Sequence, residues 1–221
     1  MNVKYGLRIR QPQDGYRYSI DSILTAEFVQ AKAGSKILEI GAGCGVISLI
    51  IAKRFPDATI HAIEIQEGLF RFLKENIKHN QLQNRIKPVL GDIKKFRKLF
   101  QAGIFDHIVT NPPFRNPSAG RICLDSQEAL ARHEILVNMD DILSAAAWLL
   151  RYGGRLSIIY PAERLSLLLY KMTGTKIEPK RLRCVHPSKE VQARMVLVQG
   201  IKGAGEELRV EPPLLLNNSA M

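Results

Sequence analysis

The sequence predicts an α/β protein: seven strands in a mostly parallel sheet, helices on both faces, and an antiparallel hairpin at the C-terminal end. Three observations carry this. Short apolar runs of strand length alternate with amphipathic helical patterns. A glycine loop, Gly41-Ala42-Gly43-Cys44-Gly45, joins the first run to the helical pattern after it. Two strand-like runs near the C-terminus follow one another with no helical stretch between them.

In chain order, Tyr18–Phe28 has helical spacing, with Ser19 or Asp21 placed to cap its start. Lys36–Ile40 is the first strand and Val46–Phe55 the helix after the glycine loop. Thr59–Ile63 is the second strand. Glu67–His79 is an amphipathic helix with Leu69, Phe70, Leu73 and Ile77 on one face. Ile86–Leu90 is the third strand. Phe105–Thr110 is the fourth and runs straight into Asn111-Pro112-Pro113-Phe114. A helix over Met139–Leu150 is closed by Arg151-Tyr152-Gly153-Gly154. Arg155–Tyr160 is the fifth strand, and Ala162–Met172 is helical with Pro161 at its entry. Thr175–Val185 and Gln192–Ile201 form the hairpin, with Pro187 in its connection. Nothing marks an internal linker, so a single domain is expected: an N-terminal segment 1–35, a core 36–201, and an extension 202–221 that frays at its end.

The 221 residues carry a formal charge of +11, which favours a polyanionic partner. The excess gathers toward the C-terminus, where Lys171, Lys176, Lys180, Arg181, Arg183, Lys189, Arg194 and Lys202 face only Glu178 and Glu190. A second group, Lys4, Arg8, Arg10 and Arg17, faces Asp14. No apolar run reaches membrane-spanning length, and no apolar segment follows the basic N-terminus, so a cytoplasmic protein without membrane contact is expected. Cys44, Cys123 and Cys184 are scattered and odd in number, which predicts free thiols and no metal site. A monomer or weak dimer is expected.

The chemistry begins at the glycine loop. A dinucleotide fingerprint spaces its glycines G-x-G-x-x-G. Here the third, Gly45, arrives one residue early, and Glu39 stands at the strand end before the loop. An acid there favours a cationic, amine-bearing ligand over a pyrophosphate. Glu64 ends the second strand about 20 residues on, the spacing at which a carboxylate accepts from ribose hydroxyls. Asp92 follows the third strand and could accept from an adenine amine. Any one of these acids alone reads equally well as a helix cap. Three at successive strand ends, beside three glycines, are hard to explain as caps, and ligands of open parallel sheets bind at that edge.

Over roughly Lys36–Gln199 this pattern resembles the class I, Rossmann-like S-adenosyl-L-methionine-dependent methyltransferases. The resemblance implies that Gly41, Gly43 and Gly45 pass under the cofactor's amino-acid part. It implies that Glu64, with neighbouring Ile65, binds the ribose and that Asp92, with Ile93, binds the adenine. Glu39 then orients the loop, or the cofactor's amine through water.

Asn111-Pro112-Pro113-Phe114 supplies two acceptors for one amine, the Asn111 side-chain oxygen and the Pro112 carbonyl. The paired prolines fix the backbone so that both point one way, and Phe114 can stack on a planar base. Two acceptors draw the amine nitrogen toward tetrahedral geometry, freeing its lone pair for attack on a methyl group. Placement and electrostatics suffice, with no strong base. The motif resembles the amino-group methyltransferases acting on adenine N(6), guanine N(2) or a glutamine amide, and the four residues do not choose among those.

The Tyr18–Phe28 segment resembles the entry segment of small adenine N(6) methyltransferases, which closes over the cofactor and would bring Tyr18 and Asp21 to its methionine part. With Ala131-Arg132-His133-Glu134 and the basic hairpin, the chain resembles the tRNA (valine-type) adenine-N(6) methyltransferase family, whose members modify the anticodon loop. That implies an RNA partner, a tRNA, with Arg115, Arg132, Lys180, Arg181, Arg183, Lys189 and Arg194 as candidate RNA contacts. The stretch 115–132, including Arg121, would form a flap over the target base. His133 just past it reads as a packing or hydrogen-bonding residue sooner than as a base. A target-recognition region of the DNA enzymes has no room here, and only about 35 residues precede the first strand, too few for the substrate domain of glutamine methyltransferases. Competing readings are a guanine-N(2) RNA or protein-glutamine methyltransferase, a non-catalytic RNA-binding protein of this fold, and a dinucleotide-dependent oxidoreductase.

Overall fold

The computed structural model describes residues 2–13, 18–112 and 138–216. A small antiparallel pair, β1 (Asn2–Val3) and β2 (Leu7–Arg8), opens the chain. Helix α1 (Ile20–Phe28) follows, capped by Ser19, whose hydroxyl accepts from the Asp21 N–H at 3.2 Å. Then come β3 (Lys36–Ile40), α2 (Val46–Arg54), β4 (Thr59–Glu64), α3 (Glu67–His79), β5 (Ile86–Leu90), a single turn of 3-10 helix at Ile93–Lys95, α4 (Phe96–Leu99) and β6 (Phe105–Thr110). The second half holds α5 (Met139–Leu149), β7 (Leu150–Pro161), α6 (Leu165–Gly174), β8 (Ile177–His186), β9 (Met195–Lys202) and β10 (Arg209–Leu215).

Among the described residues eight strands make the main sheet, in the order β10-β8-β9-β7-β6-β3-β4-β5. From β7 through β5 every neighbouring pair is parallel. β9 runs antiparallel to both β7 and β8, and β10 lies parallel beside β8. Side chains alternate faces as the pleat requires. Leu38 and Ile108 face the core shared with α5 and α6, while Ile37, Ile60 and Val109 face the core shared with α2 and α3. Helix α3 is held by Leu69, Leu73 and Ile77, one turn apart on its buried stripe.

Two expectations need correction. The sheet has eight strands, not seven, because part of the extension expected to fray forms β10. Its sequence hides it: Pro212 and Pro213 carry no N–H, which only an edge strand tolerates, and the register shifts there, between Glu211 and Leu214. Side chains of β8 clamp it, with Arg181 Nε on Glu211 at 2.7 Å and Arg183 Nε on the Pro212 carbonyl at 3.0 Å. The second correction is at Gly153-Gly154. These do not terminate α5. β7 starts at once at Leu150, and the glycines lie inside it where its pairing with β6 shifts register between Phe105 and His107. A Cβ on Gly154 would sit 2.8 Å from the Arg151 carbonyl, so that irregularity, not a helix stop, requires glycine.

Because β3, β4, β5 and β6 are parallel, their carboxyl ends share one edge of the sheet. The glycine loop, Glu64, Asp92 and Asn111 therefore meet there.

Candidate active site at the carboxyl edge of the sheet

The glycine loop is bonded to the end of β4. Gly41 and Ala42 donate their N–H groups to the Ile63 carbonyl at 3.0 and 2.9 Å, and Gly43 N–H donates to Glu64 Oε2 at 2.7 Å. Gly41, Gly43 and Gly45 have φ of 73°, 55° and 89°, a region that suits glycine. The needs at the outer two differ. A Cβ at Gly41 would meet no atom within 4 Å, so the backbone there faces open space. A Cβ at Gly45 would meet Leu73 Cδ1 of α3 at 2.5 Å, so that glycine also permits the loop to pack on the helix.

The open space beside Gly41 is a recess. Ser22 of α1, Glu39, Gly41, Ala42, Cys44 and Asn111 line it. Glu39 is 1% exposed, and burial pushes its carboxyl up to about 8. Ser48, in the first turn of α2, donates both its N–H, at 2.9 Å, and its hydroxyl to Glu39 Oε2. Burial likewise pushes the Cys44 thiol up to about 11, which makes it an unreactive lining group. A buried acid in the wall of a recess suits a cationic ligand, which lowers the cost of ionising it. Glycine backbone facing open space and an acid in the wall thus fit the amino-acid part of an S-adenosyl-L-methionine.

Glu64 is 4% exposed. Its second oxygen accepts from Gln66 N–H at 2.9 Å, so the carboxylate organises both the loop and the start of α3. Asp92 accepts from Lys94 N–H at 2.9 Å as the cap of the 3-10 turn. Each acid thus has a backbone bond at the edge where the strands end. Ile65 is half-buried after β4, whereas the Ile93 side chain points into the core beside α5. Asp21 folds back on Ser19, whose hydroxyl donates to it at 3.0 Å. Tyr18 packs on the core shared with α2.

Asn111 extends from the end of β6 into the recess, and Pro112 behind it is buried. Asn111 Nδ2 donates to Ser22 Oγ at 3.4 Å, which directs its amide oxygen away from α1. Ser22 is the site residue that the sequence does not single out; its place on the buried stripe of α1 is the available signal. Pro113, Phe114, Arg115, Arg121, Arg132 and His133, and with them the flap and Cys123, lie outside the described residues.

The basic residues divide into two sets. Arg181 bonds Glu211 and stacks over Phe28 at 4.4 Å, Arg183 bonds the β10 backbone, and Lys180 donates to the Gly205 and Glu206 carbonyls. Arg181 and Arg183 hold the C-terminal strand, and Lys180 holds the turn before it. Lys189 and Arg194 are exposed in the β8–β9 connection, at the same edge as the recess. Sequence reasoning passes over a further group: Lys94, Lys95, Arg97 and Lys98 are all exposed just after β5. They form no ion pair among the described residues, while Arg97 stacks over Phe96 and Trp148 at 5.4 Å each.

Comparison with known proteins gives a consistent picture. Residues 19–166 match the family model of the methyltransferase small domain. A tRNA1(Val) (adenine(37)-N6)-methyltransferase of Porphyromonas gingivalis is 32% identical over 186 residues, covering 75% of this chain and 72% of that protein. One from Trichodesmium erythraeum is 28% identical over 193 residues, covering 86% and 80%. Among solved structures, a predicted O-methyltransferase from Agrobacterium tumefaciens superposes with a TM-score of 0.72 at 20% identity, covering 91% of this chain and 89% of that one. TYW2 of P. horikoshii, in complex with MeSAdo, gives 0.62 at 18% identity, covering 91% and 70%. At such identities the structures establish the fold alone.

Proposed function

The chain belongs to the methyltransferase small domain family of S-adenosyl-L-methionine-dependent methyltransferases, and we propose that it methylates the exocyclic N(6) amine of an adenine in RNA, in a tRNA. The observation that carries this is Asn111. Its amide nitrogen is engaged by Ser22, its oxygen has no hydrogen-bond partner among the described residues, and it stands in the wall of the recess that the glycine loop and Glu39 frame. The cofactor supplies an electrophilic methyl group on a sulfonium.

Each residue has a part in this reading. Glu39 and the glycine loop hold the cationic amino-acid end, Glu64 the ribose and Asp92 the adenine. Asn111 Oδ1 accepts one hydrogen of the substrate amine and the Pro112 carbonyl the other. Both hydrogens then lie on the acceptor side, and the nitrogen lone pair leaves conjugation with the ring, facing the cofactor. The preorganised acceptors would stabilise positive charge on nitrogen as its lone pair takes the methyl group, the S–CH3 bond breaking to leave a neutral thioether, and the extra proton on nitrogen would then pass to water.

The RNA substrate is supported by the named relatives and by charge. Lys94, Lys95, Arg97 and Lys98 flank the site on one side and Lys189 and Arg194 on the other, all exposed, as phosphate contacts need to be. A target base must be unstacked to reach a recess at a sheet edge, which an RNA loop permits.

Nucleoside mass spectrometry tests the reading. RNA treated with protein and cofactor should gain N(6)-methyladenosine, in the tRNA fraction. A methylated guanine would move the assignment to N(2) chemistry, and label entering protein alone would overturn an RNA substrate.

A further inference from the structure

Asn76 lies on the buried stripe of α3 among leucines and isoleucines, and it is fully buried. A buried amide must be satisfied, and this one joins three parts of the chain. Asn76 Oδ1 accepts from Arg10 N–H at 2.8 Å, and Nδ2 donates to the Arg10 carbonyl at 2.8 Å and to the Cys44 carbonyl at 2.9 Å. The last bond reaches the middle of the glycine loop.

One turn further on, Asn80 repeats half of the pattern. Its Oδ1 accepts from Arg8 N–H at 3.0 Å and its Nδ2 donates to the Arg8 carbonyl at 2.8 Å. The geometry explains why two asparagines suffice. Residues i and i+4 of a helix are about 6 Å apart along its axis, close to the roughly 6.6 Å between alternate residues of an extended strand. Two amides therefore pair with Arg8 and Arg10 as a neighbouring strand would, and α3 binds the N-terminal segment by its backbone. The connection continues: Gln11 Oε1 accepts from Tyr18 N–H at 3.3 Å, and Tyr18 leads into α1, whose Ser22 lines the recess and holds Asn111.

We propose that Asn76 is a positioning residue for the cofactor site, its one amide locking the glycine loop that floors the recess to the N-terminal segment that leads to its cover. Floor and cover then order as a unit, and cofactor affinity depends on a residue that touches no cofactor. The cofactor part rests on the methyltransferase reading; the coupling does not. Asn80 provides the internal control, because it grips the same segment without reaching the loop.

The test is Asn76→Asp beside Asn80→Asp. Aspartate keeps the volume and the acceptor but loses both donors. In the cofactor-free protein, Asn76→Asp should raise amide exchange at least tenfold in both residues 7–13 and residues 43–45, whereas Asn80→Asp should raise it only in the first. By calorimetry, Asn76→Asp should weaken S-adenosyl-L-methionine binding at least tenfold and Asn80→Asp less than threefold. Turnover at saturating cofactor should stay within about twofold of wild type, which a general loss of structure would not leave intact. Equal effects of the two variants on the glycine loop, or no effect of Asn76→Asp there, overturns the proposal. Coupled exchange without any cofactor binding by the wild type would instead overturn the methyltransferase reading. Should Asn76→Asp fail to fold, Asn76→Ser beside Asn80→Ser carries the test: one short hydroxyl cannot bridge both backbones, so glycine-loop exchange and cofactor binding should again diverge between the two variants, and equal effects refute the coupling.

Discussion

Raising the pH from 6.5 to 8 should destabilise the cofactor-free protein. Glu39 is 1% exposed, and burial pushes its carboxyl up from 4.5 to about 8, against the lowering effect of the Ser48 bonds. In the unfolded chain it titrates near its ordinary value. Over the window between, the folded protein holds a proton that the unfolded chain has lost, so stability falls as pH rises. One proton of difference is worth about 1.4 kcal/mol per pH unit, which makes the loss from pH 6.5 to 8 about 2 kcal/mol. Two histidines give the opposite sign on the acid side. Burial holds His107 down to about 3 and His61 down to about 4. Both stay neutral in the fold while the unfolded imidazoles charge below 6.5, so stability falls as pH drops through that range, with a weaker share from the half-buried His61. Between about 4.5 and 6.5 the Glu39 effect runs against that of one histidine, so the wild type changes little there and the alkaline loss stands out above pH 6.5. For a chain of this size 2 kcal/mol corresponds to about 4–8 °C in Tm. Thermal melts of wild type and Glu39→Gln from pH 5 to 8.5 check this: the variant should lose the alkaline limb and show a steeper acid one, because nothing then offsets the histidines. A wild-type Tm that is flat or rising between pH 6.5 and 8, or an equal alkaline loss in Glu39→Gln, refutes the reasoning.

Asn111→Ala should cut kcat by about 100-fold, the scale of removing one preorganised hydrogen-bonding group from a transition state, while calorimetry finds the cofactor Kd unchanged. Glu64→Ala should raise that Kd at least tenfold before kcat is affected, because its carboxylate supports Gly43 N–H as well as the expected ribose; an unaltered Kd would remove Glu64 from the site. Replacing Lys94, Lys95, Arg97 and Lys98 together by alanine should raise the KM for tRNA, with cofactor binding unchanged. It should also flatten the salt dependence of that KM by about 0.7–0.9 in log–log slope for each phosphate no longer neutralised. Gly45→Ala should cost about 1–3 kcal/mol in chemical denaturation, from a left-handed backbone and crowding of buried Leu73.

The parts of this fold legible in the sequence are those written locally. Strand ends carry their signals within a few residues, as in Glu39-Ile40-Gly41 or Thr110-Asn111-Pro112, and parallel order follows from alternation with helices. What escapes depends on distant partners. β10 is invisible in Arg209–Leu215 because its two prolines argue against a strand, and the residues that admit it, Arg181 and Arg183, lie about 30 positions upstream. Nor does the sequence show that those arginines clamp β10: a cation that bonds an internal carbonyl and one that meets a phosphate have the same letter. Asn76 is legible only as an oddity, a polar residue on an otherwise apolar stripe.

The acids at the sheet edge raise a sharper point. Read singly, each could be a cap or a ligand group, and the two roles are compatible. Glu39, Glu64 and Asp92 all accept backbone N–H groups, from Ser48, Gly43 and Gln66, and Lys94. A carboxylate has about four acceptor positions, and backbone donors fill only one or two of them. Those donors fix the carboxylate's orientation before any ligand arrives, which reduces the ordering cost of binding. They also keep a buried acid such as Glu64 satisfied in the absence of cofactor. Capping is therefore compatible with a ligand role at this edge, and substituting any one of these acids should disturb the loop it caps together with the ligand it is proposed to hold.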